Sequence, residues 1–269
     1  MAVSSAAQQA ELRAFEKVKK LLKGAQVTSA PAGFETSFPD FGFRIQVGKK
    51  TVDILIEYKA DAKAQMGSMR DWIFDGRSFK TPDLRNEEKK DLIEIMNQSS
   101  EAVQNAKRLL KDFKTYADPK INLIYSGMMT IEKDQKIRRS KLEAFAAGTK
   151  NYQIAKIANT TLGNGIISHY KKKFKDAVSS DANYSVLLMM IGNEIWFVDE
   201  KGTLAPEEQK GFLKMLNITN IPVMRNLSAN LEVRIQPRGL SAPGKPVSVD
   251  VMSSFRLNGK PGSGATIIN

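Results

Sequence analysis

The feature that most constrains this chain is a pair of neighbouring segments, Phe41–Val47 and Thr51–Tyr58, in which apolar residues occupy every second position. A period of two is that of a β-strand with one buried face. Only Gly48, Lys49 and Lys50 separate the two segments. We therefore predict an antiparallel hairpin with a short loop, whose apolar side chains all lie on one face.

Matching the apolar residues across the hairpin predicts its register. The expected apolar pairs are Val47 with Val52, Ile45 with Ile54, Phe43 with Ile56, and Phe41 with Tyr58. A slip of one residue would move every apolar side chain to the wrong face. On the opposite face this register places Gly42 across from Glu57 and Asp40 across from Lys59. We therefore expect Asp40, Glu57 and Lys59 to lie close together.

The segments around the hairpin predict an α-β-β-β-α-β order. Helical periodicity, breakers and short apolar runs indicate a first helix over 6–23, a first strand over 34–38, a long helix over 87–116 and a buried strand over 121–125. The fold class expected is α/β, with a mixed central sheet flanked by helices and a C-terminal α+β extension. We expect the core to span residues 1–130 and the extension residues 131–269.

The second half contains a basic linker and helix around 138–147, and then two short helices within 152–175. The pair indicates either a helix-turn-helix or, as we favour because the joining segment is long, a plain helical hairpin. Gly192-Asn193 predicts a tight turn between strands 184–191 and 194–198. A helix over 206–216 and strands over 231–235 and 247–257 follow, and 258–264 is rich in Gly, Pro and Ser.

Composition excludes several kinds of chemistry. The 269 residues include no cysteine and one histidine, His169. Thiolate nucleophiles, cysteine-bound metals and metal sites that need two imidazoles are therefore excluded. Hydrolytic chemistry would have to use carboxylates and lysines. The formal net charge of +12 favours a polyanionic partner, of which nucleic acid is the commonest.

Spacing decides which acids of the hairpin could share an ion. Asp53 lies about 13 Å from Glu57 along the strand, which is too far. Asp40 is expected at about 7–8 Å from Glu57, as a diagonal neighbour on the adjacent strand. Two such carboxylates, with the backbone carbonyl of Tyr58, suit Mg²⁺, and Mn²⁺ could substitute. Lys59 would position the attacking water or stabilise charge on a phosphate, so we expect phosphodiester hydrolysis.

The motif Phe38-Pro39-Asp40, sixteen residues, then Glu57-Tyr58-Lys59 resembles that of the PD-(D/E)XK nucleases, which include restriction endonucleases and Holliday-junction resolvases. The resemblance covers about residues 6–126. It implies a restriction-endonuclease-like core and a metal-dependent endodeoxyribonuclease. Asp40 and Glu57 would bind the metal and Lys59 would assist the water. The family's accessory positions would match Glu11 or Glu16 on the first helix, and Gln65. The family's habit also implies a homodimer.

Basic clusters are the expected DNA contacts. The densest comprises Lys171, Lys172, Lys173 and Lys175, and a second contains Arg138 and Arg139. On a chain of this charge such clusters favour phosphate contacts with double-stranded DNA. Trp72 and Trp196 are expected in the core.

The longest purely aliphatic run, 186–191, is far shorter than the roughly 20 residues that a membrane span needs. The N-terminus does not resemble a signal peptide. We therefore expect a soluble, cytoplasmic protein without membrane contact. Two alternatives to a restriction-type nuclease remain open: a junction-resolving or repair nuclease with the same chemistry, and a non-catalytic DNA-binding regulator.

Overall fold

The structure is a computed structural model of the chain. It describes residues 6–31, 38–69, 72–82, 87–116, 123–125, 127–130, 156–178, 180–198, 204–225, 227–238 and 248–267. Within these ranges the protein is a mixed α/β structure with five helices and a mixed central sheet.

The helices are α1 (Ala6–Leu21), α2 (Glu87–Gln98), α3 (Ser100–Tyr116), α4 (Thr160–Ala177) and α5 (Pro206–Met215). The strands are β1 (Gln26–Ser29), β2 (Phe41–Val47), β3 (Lys50–Lys59), β4 (Gln65–Met69), β5 (Ile73–Phe74), β6 (Phe79–Lys80), β7 (Ile124–Tyr125), β8 (Gly127–Thr130), β9 (Lys156–Asn159), β10 (Tyr184–Ile191), β11 (Glu194–Phe197), β12 (Ala229–Arg238), β13 (Ser248–Leu257) and β14 (Ala265–Thr266).

The strands form three sheets. The largest has the order β1-β2-β3-β10-β11-β14, in which β3 and β10 are parallel and the other neighbours are antiparallel. A second sheet has the order β4-β13-β12-β9, with β8 also paired to β13, and the third has the order β6-β5-β7. The parallel pair requires a long connection between β3 and β10, because a tight turn can only join antiparallel neighbours.

The chain folds into two compact units. The first comprises residues 1–64, 163–228 and 257–269, and the second comprises residues 65–162 and 229–256. This division differs from the predicted boundary near residue 130, because the second half of the chain supplies β10 and β11 to the sheet that the first half begins. The first unit contains the largest sheet, and the second contains the other two.

The predicted hairpin is present as β2 and β3, but its register differs from the expected one by two residues. Phe43 is opposite Ile54, Ile45 is opposite Val52, and Val47 is opposite Lys50. The turn between the paired residues is thus two residues shorter than the predicted register required, and Gly48 provides the positive φ (62°) that it requires. A shift of two residues keeps every side chain on its predicted face, so the apolar alternation is preserved.

The apolar face of the hairpin packs against α1 in the core of the first unit. Phe15 of α1 stacks on Phe43 with ring centroids 5.5 Å apart and meets the edge of Phe41 at 5.7 Å. Ile54 and Ile56 of β3 are fully buried in the same cluster. The opposite face of β3 carries Asp53, Leu55 and Glu57.

A helix and a strand from the second half follow β3 in the first unit. The sequence predicted instead that a helix over 87–116 and a strand over 121–125 follow the hairpin in the core. Residues 87–116 form α2 and α3, interrupted at Ser99, and Ile124–Tyr125 pairs with β5 in the small sheet of the second unit. Instead α4 precedes β10, which lies beside β3. Periodicity identifies a helix or a strand but does not say which sheet it joins.

The two interpretations of 152–175 are both wrong where the chain is described. Residues 156–159 form β9, and 160–177 form one continuous helix, so neither a helix-turn-helix nor a helical hairpin is present there. The predicted loop contained Gly163 and Gly165. Gly163 lies within the helix, where a Cβ would lie 1.7 Å from the carbonyl oxygen of Leu227, so this close approach requires glycine.

Several other predictions are confirmed. The hairpin of β10 and β11 turns at Gly192, whose φ is 61°, and Trp72 and Trp196 are fully buried. The predicted strand over 34–38 falls mostly on residues outside the described ranges, and β1 pairs with β2 at the edge of the sheet. Within the described residues, no helix has both the length and the apolarity to span a membrane.

Candidate active site

Asp40 and Glu57 lie just beyond the last residue pair of the ladder between β2 and β3. The last ladder pair is Phe41 with Ile56, and Asp40 immediately precedes β2. The Oδ2 atom of Asp40 accepts a hydrogen bond from the backbone N–H of Tyr58 at 2.6 Å. The sequence predicted a diagonal arrangement of the two acids, and the charge of Glu57 raises the pKa of Asp40.

Glu57 is buried, with 6% of its surface exposed, and holds two hydrogen bonds on a single oxygen. Its Oε1 atom accepts one bond from the Nζ atom of Lys59 at 2.6 Å and another from the hydroxyl of Tyr170 at 2.9 Å. Asp40, Glu57 and Lys59 therefore form one cluster, in which the lysine is adjacent to both acids.

The pKa of Asp40 reflects its burial and the nearby charge of Glu57. The pKa of Asp40 is raised to about 7, chiefly by burial and then by the negative charge of Glu57, while Lys59 and the hydrogen bond from Tyr58 oppose the change. A carboxyl group that has lost water and lies beside a second acid is more costly to ionise. A cation bound between the two acids would relieve this cost.

Tyr170 belongs to α4 and was not predicted as a site residue. Its side chain is 3% exposed, and its ring lies 6.1 Å from that of Phe38. Burial raises the pKa of the Tyr170 hydroxyl well above its ordinary value, as does the negative charge of Glu57, so the group is protonated and donates. The sequence predicted that Tyr170 lies on a short helix with Ile166 and Ile167, but it did not predict that this helix would bring the hydroxyl to Glu57.

Of the two glutamates on α1, the electrostatic coupling favours Glu11. Partial burial raises the pKa of Glu11, and the charges of Lys59 and Glu57 act on it with opposite signs. Glu16 is exposed and lies 3.9 Å from Lys19, a surface pair one turn away. The coupling of Glu11 to the cluster distinguishes it from Glu16, a choice that the sequence left open.

The predicted basic cluster lies on the same helix as Tyr170. Lys172, Lys173 and Lys175 are exposed and Lys171 is half-buried. The Nζ atom of Lys173 lies over the ring of Phe38, 5.5 Å from its centroid, and Phe38 is two residues before Asp40. Lys173 therefore lies beside the segment that leads into Asp40. Arg138 and Arg139 lie outside the described residues.

Asp53 has a different partner. The Nε atom of Arg44 donates to its Oδ1 atom at 2.7 Å, and Nη2 donates to Oδ2 at 2.9 Å. This two-bond pair matches the planar guanidinium to the carboxylate. Asp53 was not predicted as a metal ligand, and its two oxygens are both engaged.

The cluster offers a small set of oxygen donors to a divalent metal ion. Among the described residues, no group of three or more His, Cys, Asp and Glu side chains is arranged to hold a metal ion. The candidate donors are two carboxylates and, as predicted, the Tyr58 carbonyl. All are hard oxygen donors, which suit Mg²⁺ because it commonly binds one or two carboxylates and keeps several waters.

The remaining predicted site residue, Gln65, begins β4 in the second unit. Its side-chain amide is directed to the carbonyl oxygen of Gly67, at 3.5 Å. Its accessory role stays a prediction. His169 is exposed on α4 and lies edge-on to the ring of Tyr170.

Comparison with known proteins supplies no relative: no protein-family model, no curated protein and no solved structure matches the chain.

Proposed function

We propose that this protein is a divalent-metal-dependent endodeoxyribonuclease with a restriction-endonuclease-like core. The single observation that carries the proposal is the cluster of Asp40, Glu57 and Lys59 at the end of the β2–β3 hairpin, in which Lys59 donates to Glu57 and the charges of both act on Asp40. Within the first unit, α1, β1, β2, β3, α4 and β10 follow one another in the α-β-β-β-α-β order that the motif implies, which supports the same assignment.

Asp40, Glu57 and the carbonyl oxygen of Tyr58 would hold the metal. When bound, Mg²⁺ or Mn²⁺ would make a water more acidic and a phosphate more electrophilic. The raised pKa of Asp40 supports this assignment, because a carboxyl group destabilised by burial and by a neighbouring acid gains most from a cation.

Lys59 would act on the substrate side of the cluster. Hydrolysis adds water across a phosphorus–oxygen bond, and negative charge builds on the phosphate oxygens as the bond breaks. The Nζ atom of Lys59 would hold the attacking water or stabilise that charge. Its contact with Glu57 keeps it beside the acids before substrate arrives.

Double-stranded DNA is the proposed substrate, and the lysines of α4 are its proposed contacts. Lys173 lies beside Phe38, in the segment that leads into Asp40, while Lys172 and Lys175 are exposed on the same helix. Each phosphate neutralised adds about 0.9 to the slope of log binding constant against log salt. We propose a homodimer, so that each subunit would cut one strand.

The test is cleavage of supercoiled plasmid with Mg²⁺ or Mn²⁺ by the full chain. Asp40→Asn and Glu57→Gln should each lower the rate at least about 100-fold, since metal ligation and its charge stabilisation contribute several kcal/mol. Asp61→Asn is a matched control, because Asp61 is an exposed acid just beyond β3 whose side chain caps the N–H of Lys63. Equal cleavage by all four proteins would disprove the assignment.

Substrate structure separates the two nuclease variants. A restriction-type enzyme should cut linear duplex into discrete fragments, whereas a junction-resolving or repair enzyme should cut a four-way junction in preference to the matching linear duplex. Both should lose activity with Glu57→Gln.

A second candidate, a non-catalytic DNA-binding regulator, is favoured by one observation. Lys59 already neutralises Glu57, and the described residues provide two acidic side chains rather than three for a metal. This candidate predicts salt-sensitive DNA binding that is lost when the α4 lysines are replaced, unchanged by Mg²⁺, with no cleavage products on long incubation.

A further inference from the structure

We propose that Tyr170 is a positioning residue that fixes the Glu57 carboxylate, so that Glu57 presents its second oxygen, Oε2, to a divalent cation. The inference rests on the proposed function and adds a residue to it. The contact that carries it is the hydrogen bond from the Tyr170 hydroxyl to Oε1 of Glu57 at 2.9 Å.

Two donors act on the same oxygen. Lys59 and Tyr170 both donate to Oε1, from β3 and from α4. A carboxylate held at one oxygen from two directions loses its freedom to rotate about its terminal bond. Oε2 is the oxygen through which the buried carboxylate would bind a cation with a single bond.

The hydroxyl is a fixed donor. The Tyr170 hydroxyl donates its proton to the hydrogen bond with Oε1 of Glu57, so it is a partner of the carboxylate and not a competitor for the cation. The ring is held by its surroundings, since it is almost fully buried and lies beside Phe38. A donor fixed in this way orients a ligand as partners outside the metal's own ligands do in known metal sites.

Packing alone does not account for the hydroxyl. The other buried side chains of α4 between residues 162 and 177 are apolar: Leu162, Ile166, Ile167 and Phe174. A phenylalanine at 170 would fill the same space against Phe38. The polar atom of Tyr170 is therefore explained by its partner Glu57.

The experiment is calorimetric titration of the full-length protein with Mn²⁺, without DNA, comparing wild type, Tyr170→Phe, Glu57→Gln and Tyr184→Phe. Tyr184 is a matched control because it lies in the same unit at the start of β10, opposite Val52, five residues from the position paired with Glu57. Circular dichroism and thermal unfolding verify that each variant is folded.

We expect Tyr170→Phe to weaken Mn²⁺ binding by about 10- to 100-fold, as loss of an orienting partner does in other metal sites. Tyr184→Phe should bind as wild type does. Cleavage should follow the same order, with Tyr170→Phe requiring more metal for half-maximal rate and recovering most of its rate at saturation.

The remaining outcomes separate the two proposals. If wild type binds Mn²⁺ and cleaves DNA while Tyr170→Phe has the same affinity and metal dependence, the positioning role is wrong and the nuclease assignment stands. If wild type binds Mn²⁺ no better than Glu57→Gln, both the metal site and the role of Tyr170 are overturned.

Discussion

Asp53 and Glu57 point to the same face of β3, four residues apart, and have similar burial, with 5% and 6% of their surfaces exposed. Asp53 has a dedicated counter-charge, since Arg44 on β2 binds both of its oxygens. Glu57 shares a single lysine with a second acid, Asp40, and receives a tyrosine hydroxyl from α4. One strand thus carries a neutralised acid at one end and an excess of acid at the other.

The two ends of β3 differ in whether a counter-charge neutralises the buried acid. A buried acid is explained structurally when a well-aligned guanidinium neutralises it, as for Asp53. A pair of buried acids that shares one ammonium group retains an electrostatic cost, which the raised pKa of Asp40 reflects. Such retained cost is characteristic of binding and catalytic sites. The predictions below test this contrast.

The largest effect should come from a divalent cation. If Asp40 and Glu57 bind Mg²⁺, the free energy of unfolding should rise by about 2.7 kcal/mol at a concentration 100 times Kd. Glu57→Gln should abolish the gain and Asp53→Asn should retain it. Thermal unfolding with and without Mg²⁺ measures both, and an equal response of the two variants would contradict the contrast.

Replacing Asp40 should stabilise the metal-free protein. The folded pKa of about 7 exceeds the ordinary value of 3.8, so between these pH values the folded state binds more protons than the unfolded state. The free energy of unfolding therefore falls as pH rises from about 4 to 7. Asp40→Asn keeps an acceptor for the N–H of Tyr58 without the charge, and should gain on the order of 2 kcal/mol at pH 8.

The pH dependence is the control for this prediction. The gain of Asp40→Asn should shrink below pH 7 and vanish below about pH 3, where the wild-type aspartate is protonated in both the folded and the unfolded state. Denaturant unfolding at several pH values measures it. A gain that is constant with pH would show that the charge of Asp40 is not its origin.

Replacing Asp53 should have the opposite sign. In Asp53→Asn the amide oxygen can still accept one bond from Arg44, but the second bond and the charge are lost. We expect the free energy of unfolding to fall by about 1.5 kcal/mol at pH 7, as for loss of a hydrogen bond to a charged group. A stabilised Asp53→Asn protein would remove the distinction between the two ends of β3.

The smallest effect should separate the two glutamates of α1. The charges of Glu57 and Lys59 affect the pKa of Glu11, while Glu16 is exposed beside Lys19. Glu11→Gln should change stability by less than about 0.5 kcal/mol, because solvent screens a half-exposed acid. It should nevertheless alter the Mg²⁺ response, and Glu16→Gln should not. Equal Mg²⁺ responses in the two variants would remove Glu11 from the site.

Local patterns predicted the face of each hairpin residue but not the pairing. A shift of two residues leaves the alternation unchanged, so the apolar residues cannot distinguish the two registers. The observed one has a tight turn at Gly48 and places Arg44 directly opposite Asp53. The opposite charges of Arg44 and Asp53 favoured this register, but the prediction was based on the apolar pairs alone.

The convergence of Asp40, Glu57 and Lys59 could be predicted because it depends on one hairpin. Tyr170 could not, since its position depends on where α4 begins and which strand follows it. The low helix propensity of Gly163 and Gly165 indicated a loop, yet both residues lie within a helix. Glycine stands at 163 because the Leu227 backbone approaches that position closely. This contact joins residues that are far apart in the sequence, so the sequence around Gly163 does not reveal it.

The long connection between β3 and β10 also has a consequence for synthesis. Tyr170 follows Glu57 by 113 residues. At a translation rate of 5–20 residues per second, about 6–23 s separate the emergence of the acid from that of its hydroxyl partner. During this interval the hairpin exists without its parallel neighbour β10. The completed cluster, and any activity that depends on it, therefore appears only after the second half of the chain has been made.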